Sequence, residues 1–374
     1  MKFNVSSTAL LARLQSISKV IASKNTLPIL DCFLFELAED KLIITASDTD
    51  TRMVTSVEVQ EAEGAGLFAV PAKILLEPLK ELPEQPLHFD INDEDLQIKL
   101  YFQNGKYNFV GEKGDTYPQQ KPLGDDFTSI EMGAQTLLGG INRTIFATAD
   151  DELRPVMNGV YFDIHEDDLT FVASDGHKLV RLCNKSIHSP QKASFILPKK
   201  PANLLRNILA RETEVVSIRF DDNNAYINCP GFEMVCRLIE GRYPNYNSVV
   251  PIDNPYHVTI DRISLLNALK RVSVFSNAAS SLIKIHAQPD LLIVSAQDLD
   301  FSTSAEEKIT CSYDGDELKI GFKATFLIEI LGNIASENVV LELADPSRAG
   351  LIFPTENEAD EDLLMLLMPM MLND

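Results

Sequence analysis

Three short stretches carry the residues best placed to do chemistry. Asp175 and His177 stand two apart in Ser174-Asp-Gly-His-Lys-Leu179, and Asp48/Asp50 and Asp298/Asp300 hold the same relative places elsewhere. Paired carboxylates with an imidazole could ligate a divalent cation and support metal-dependent phosphodiester hydrolysis. An Asp at a strand end has a plainer use, which is to accept backbone hydrogen bonds that order the following turn. Copy number favours the turn, because the imidazole occurs in one stretch of three. Neither a Gly-rich phosphate loop nor a nucleophile elbow is present. The five cysteines, Cys32, Cys183, Cys229, Cys236 and Cys311, are scattered without a CxxC pair. That spacing speaks against zinc and for buried thiols in a reducing compartment. No catalytic residue, no metal and no cofactor is expected.

The elements around these stretches repeat. Asp40-Lys-Leu-Ile-Ile-Thr-Ala-Ser-Asp48, Asp167-Asp-Leu-Thr-Phe-Val-Ala-Ser-Asp175 and Asp290-Leu-Leu-Ile-Val-Ser-Ala-Gln-Asp298 align residue for residue, 127 and 123 positions apart. A period that long is a triplicated domain and not a solenoid repeat. A chain of 374 residues holds three such domains comfortably. We expect them at 1–124, 129–250 and 254–374, with a polar linker at 119–126.

Helical spacing of Leu10, Leu11, Leu14, Ile17 and Ile21 predicts a helix over 7–24. Further helices are expected at 71–82, 136–149, 198–210, 261–275 and 323–334, the second shortened or kinked by Pro78. Strand-like runs lie at 29–37, 42–46, 96–102 and 106–110, the last two joined through Gln103-Asn-Gly105. Strands at 157–164, 169–173, 215–220, 225–229 and 233–239 repeat the order in the second copy. Each domain reads helix, strands, helix, strands, hence two similar halves of an α+β fold with antiparallel sheet.

The net charge of −22 would by itself repel a phosphate backbone. The charge is unevenly sorted, however. The six helical segments, the fourth taken through Arg211, hold 14 basic and 4 acidic residues, so the remainder carries −32. One solvated lysine on one helix means little. The bias summed over six helices implies a basic, helix-lined surface suited to sequence-independent contact with a duplex, which presents a phosphate about every 1.7 Å. No run approaches the ~18 apolar residues of a membrane span, and the N-terminus has no signal-peptide core. A cytoplasmic protein without membrane contact is expected.

The triplication, Leu27-Pro-Ile-Leu30, Asn158-Gly159, Ser174-Asp-Gly-His-Lys-Leu179, Arg242-Tyr-Pro-Asn-Tyr246 and Met368-Pro-Met370 resemble the bacterial DNA polymerase III β subunit family, the sliding clamps. The likeness runs over essentially the whole chain. It implies a head-to-tail homodimeric ring with six similar half-domains to the chain, helices lining the hole and sheets forming the rim. Double-stranded DNA would be threaded and not gripped. It also implies a hydrophobic pocket where short linear motifs of the polymerase III catalytic subunit, the clamp loader and repair proteins dock.

Carried over by position, that pocket is Met157, Ser174, Gly176, His177, Leu179, Pro244, Val249, Leu366, Met368, Pro369 and Met370. Methionine and leucine make an adaptable apolar surface. Two or three buried client anchors at roughly 1.5–3 kcal/mol each, less the ordering of the peptide, suit affinity near −8 kcal/mol, about micromolar. The resemblance assigns DNA contact to Lys24, Lys73, Lys80, Arg154, Lys199, Lys200 and Arg206. It assigns the dimer seam to Tyr107 and Phe109 against Val274 and Phe275, although spacing alone reads Phe275 as core. The family often has Arg where this chain has Lys178, Ser248 and Met371, and the tail extends by Asn373-Asp374. The alternatives from other classes are an acidic protein scaffold that never meets DNA and a metal-dependent nuclease.

Overall fold

The computed structural model describes residues 1–119, 123, 124 and 126–372. Part of the 119–126 linker and the terminal Asn373-Asp374 lie outside the described residues. The chain folds as six successive modules, each a strand, a helix and three antiparallel strands. The helices are α1 (Ser7–Ser18), α2 (Ala72–Lys80), α3 (Ala134–Thr144), α4 (Lys199–Leu209), α5 (Arg262–Val272) and α6 (Ala324–Gly332). The sequence reading found all six helices and missed the strand leading into each. These leading strands are Lys2–Ser6, Gly66–Pro71, Thr128–Gly133, Ala193–Pro198, Tyr256–Asp261 and Leu318–Lys323. At five or six residues each, they alternate too briefly to stand out from the helix that follows.

Two further differences have local causes. The first helix stops at Ser18 and not at 24, with single-turn bonds from Val20 N to Ile17 O and Ile21 N to Ser18 O closing it. Beyond Ile21 the polar run Ala22-Ser-Lys-Asn-Thr26 has nothing to bury. The strand expected from 29 begins instead as a 3-10 turn, Pro28–Asp31, before Cys32–Ala38 extends. Proline fixes the φ that such a turn needs at its start. Pro78 is accommodated because α2 ends two residues later.

The described residues form two compact units. The first joins Met1–Leu138 with Asn203–Leu238. It holds a nine-stranded sheet ordered Glu112–Lys113, Gly66–Pro71, Cys32–Ala38, Lys41–Ser47, Thr51–Glu58, Phe232–Arg237, Asn224–Cys229, Val215–Phe220, Thr128–Gly133. Its five-stranded sheet runs Gln60–Glu63, Lys2–Ser6, Pro86–Ile91, Gln97–Phe102, Gly105–Val110. Leu10, Leu14 and Ile17 of α1 and Leu75 and Leu79 of α2 are buried, and the two helices pack together.

The second unit joins Gly139–Ala202 with Ile239 onward. Its eight-stranded sheet runs Ala193–Pro198, Gly159–Ile164, Leu169–Ser174, Lys178–Asn184, Glu361–Leu367, Gly350–Pro354, Asn338–Leu343, Tyr256–Asp261. A four-stranded sheet runs Thr303–Thr310, Leu291–Asp298, Leu282–Gln288, Leu318–Lys323. A rule emerges from these orders. The last strand of module one pairs with that of module four, through Met53↔Met234, and the last strand of module three with that of module six, through Leu179↔Leu366. The last strands of modules two and five, Gly105–Val110 and Thr303–Thr310, end their sheets.

Candidate docking pocket and basic helices

The carboxylate that opened the sequence reading is a turn-former. Asp175 Oδ1 accepts the amides of His177 and Lys178 at 2.8 and 2.9 Å. Asp48 Oδ1 does the same for Asp50 and Thr51, and Asp298 Oδ1 for Asp300 and Phe301. Among the described residues no group of three or more His, Cys, Asp or Glu converges to hold a metal ion. Cys32 and Cys236 are buried, and burial pushes their thiols up to about 11 and about 12. Cys183 and Cys229 are only half-buried, short of the expected full burial.

The turn is held from its far side too. Lys178 is 5% exposed, its Nζ lying 2.9 Å from Asp175 and 3.2 Å from Glu329. The same ammonium sits 4.1 Å from the centroid of Phe326 on α6, and His177 stacks on that ring. Burial raises the Asp175 carboxyl, but hydrogen bonds from the Lys178 amide and Nζ and the His177 amide outweigh it and leave it below its ordinary value. A folded value below the unfolded one stabilises above the unfolded pKa. The turn's contribution is therefore complete above about pH 4 and is lost as pH falls further. Removing the carboxylate leaves a buried cation with only the half-exposed Glu329. Asp175→Ala should cost about 3 kcal/mol in urea unfolding, and Asp175→Asn less, because the amide oxygen still accepts the two backbone bonds.

Beside this turn the structure gathers most of the expected pocket. Leu179 faces Leu366 across the strand pair, and both are buried with Val172, Ile196, Tyr243, Tyr246, Leu351 and Leu364. The Ser174 hydroxyl bonds the Lys178 carbonyl at 2.9 Å and accepts the Gly176 amide at 3.1 Å. Gly176 has φ +89°, and a Cβ there would come within 2.8 Å of Arg154 Nη1. Met157 is buried at the end of a 3-10 turn, while Pro244 and Val249 lie exposed on the following segment. The tail then leaves the sheet. Met368 N donates to His177 O, and Met370 N to Gly321 O, each at 2.8 Å. Met368 is 41% exposed, and Pro369 and Met370 are half-buried.

Sequence reasoning missed Phe326, Lys323 and Tyr243. Lys323 Nζ lies 4.6 Å from the Phe326 centroid, and Tyr243 stacks on Tyr161 at 4.6 Å. The helical spacing of α6 marks Leu327, Ile330 and Leu331 as its buried face and says nothing of what Phe326 meets.

The basic residues are spread over both units. In the first, Lys24 is exposed in a bend beyond α1, Lys73 is exposed, Lys80 pairs with Glu77 at 2.7 Å, and Arg206 bonds Asn203. In the second, Lys199 pairs with Asp150 at 2.8 Å and Lys200 is half-buried at the start of α4. Arg154 does not lie on a helix. Its Nε pairs with Asp151 at 2.8 Å and Nη2 reaches the Asp175 carbonyl, which groups it with the pocket turn. Of the seam residues, Tyr107 and Phe109 are half-buried on the edge strand Gly105–Val110, and Val274 is 78% exposed. Phe275, read from spacing as core, is 39% exposed, because the 3-10 turn Ser273–Phe275 carries it off the buried face of α5. An open cleft of about 810 Å³ lies elsewhere, between α1 and Ser56–Gln60 in the first unit, and no expected site residue lines it.

Comparison with known proteins agrees with this architecture. Family models of the DNA polymerase III beta subunit match in order, the N-terminal domain over 1–119, the central domain over 131–245 and the C-terminal domain over 247–371. The beta sliding clamps of Pseudomonas aeruginosa and Haemophilus influenzae are 28% and 27% identical, each over the full length of both chains. Among solved structures, the P. aeruginosa clamp bound to griselimycin superposes with a TM-score of 0.93 at 26% identity, covering both chains completely. The beta subunit of Thermotoga maritima gives 0.90 at 25%, again over both whole chains. No helix among the described residues is long and apolar enough to cross a membrane. The chain belongs to the DNA polymerase III beta subunit family, the β sliding clamps, which are non-catalytic processivity subunits and not enzymes.

Proposed function

We propose that this clamp closes head to tail with a second copy into a ring around duplex DNA, in the cytoplasm, and tethers the polymerase III catalytic subunit, the clamp loader and repair proteins by their short linear motifs. The observation that carries this reading is the pairing rule of the six modules. Module one pairs with four and three with six. Modules two and five remain, each at a sheet edge. Joining Gly105–Val110 of one copy to Thr303–Thr310 of another continues the rule and covers both edges, which otherwise invite uncontrolled pairing. The exposed apolar residues Val110, Val274, Leu299 and Phe301 support the same seam.

The basic bias of the helices supports a positive bore, with Lys24, Lys73, Lys80, Lys199, Lys200 and Arg206 meeting phosphates and no base edge. The acidic remainder disfavours binding outside the hole. Docking then uses the wall formed by Leu179, Leu366 and the Met368–Met370 tail, with His177, Gly176 and Ser174 on the facing turn. The P. aeruginosa relative is known bound to griselimycin, so ligand capture occurs on a clamp of this architecture.

The test is topological. Clamp loaded on closed circular DNA should stay bound through gel filtration and leave when the circle is cut. Equal loss from circles and linear DNA would reject encirclement. Elution from heparin at trivial salt, together with no retention on circles, would support the acidic-scaffold alternative.

A further inference from the structure

The tail wall of the pocket has no sheet of its own. Among the described residues its backbone is tied to other strands at the His177 carbonyl and at Gly321. Gly321 sits in Leu318–Lys323, opposite Lys284 on one side and bridged to Met370 on the other. A Cβ at this position would stand 2.7 Å from Met370 O, 2.8 Å from Leu372 Cδ2 and 3.0 Å from Leu282 Cδ1. The two leucine contacts are side-chain ends that can swing away. The carbonyl oxygen is backbone and cannot yield unless the tail itself moves. Glycine is the residue that permits so close an approach of two backbones. Gly321 meets the pocket through the tail residue Met370 and lies on a different strand from Leu179 and Leu366.

We propose that Gly321 is the positioning residue of the docking pocket. By lacking a Cβ it lets the tail lie on strand Leu318–Lys323, and so holds Met368, Pro369 and Met370 as a rigid wall. With any side chain at 321 the tail lifts, the Met370 N–H loses its acceptor, and the wall becomes a loose flap. A ligand must then order the flap as it binds, which lowers its affinity. This inference rests on the pocket reading given above.

Griselimycin, the ligand of the P. aeruginosa relative, serves as probe in calorimetry on four full or shortened dimers. These are the unaltered chain, Gly321→Ala, a chain ending at Leu367, and that truncation with Gly321→Ala. Gly321→Ala should weaken binding at least tenfold. In the truncated background it should change nothing further, because the tail through which it acts is gone. Wild-type affinity in Gly321→Ala, beside lost binding in the truncation, overturns the positioning role and leaves the pocket reading standing. Undiminished binding by the truncation overturns the pocket reading itself. Amide exchange gives an independent measure should Gly321→Ala fail to fold. In the unaltered chain the Met370 amide should be protected to a degree similar to Met368. Exchange at the rate of a free peptide would refute the pin.

Discussion

A chain ending at Leu367 should lose about a hundredfold or more in affinity for client motifs and remain a dimer of normal stability. The reason lies in where the tail's contacts go. Leu363, Leu364, Met365, Leu366 and Leu367 are each under 5% exposed and belong to the sheet. The residues after Leu367 contribute two crossing hydrogen bonds and an exposed apolar rim. Cutting there removes a wall and leaves the core intact. Micromolar docking corresponds to about −8 kcal/mol. Losing the partner surface of two anchors at ~1.5–3 kcal/mol each takes that to between a few hundred micromolar and tens of millimolar, on the order of a hundredfold or more. Calorimetry or polarisation with a fluorescent client peptide reads the loss, and light scattering reads the dimer. Client binding retained by the truncated chain would place the pocket elsewhere.

The residues proposed for this pocket are legible in the sequence to different depths. Asp175 and its copies declare themselves because an Asx turn is local. The acceptor and its two donors lie within three residues of each other, so the pattern survives in each repeat. The apolar tail is likewise visible as composition. What ties them together is not visible. Lys178 meets Glu329 and Phe326 across about 150 residues, and Met370 meets Gly321 across 49. No periodicity links such pairs. Lys24 shows the opposite error. The helical stripe read to Ile21 places its charge on a helix, whereas of that stripe Leu10, Leu14 and Ile17 are buried and the last turn tightens after Ser18. Arg154 was assigned by position to the DNA side. Gly176, with no Cβ, leaves room for its guanidinium against the pocket turn. Gly321 carries no local signal in the sequence, because its close neighbour Met370 comes from the tail.

The second large effect is expected at the seam. Replacing both Tyr107 and Phe109 by Asp should give a monomer at micromolar concentration, with no retention on circular DNA and unchanged client affinity. Both side chains are half-buried within their own subunit on the outermost strand, so their remaining apolar area is what a partner would cover. A head-to-tail dimer has two identical seams, and each substitution therefore acts twice. Two side chains at each of two seams, at ~1.5–3 kcal/mol per side chain, give an upper range of about 6–12 kcal/mol. That weakens dimerisation by four to eight powers of ten. The docking wall lies wholly in the second compact unit, far in sequence from strand Gly105–Val110. Client affinity is thus the internal control for folding. A double variant that stays dimeric would break the pairing rule of the modules, and with it the argument for a closed ring. A monomer that still held circles would break the argument for encirclement alone.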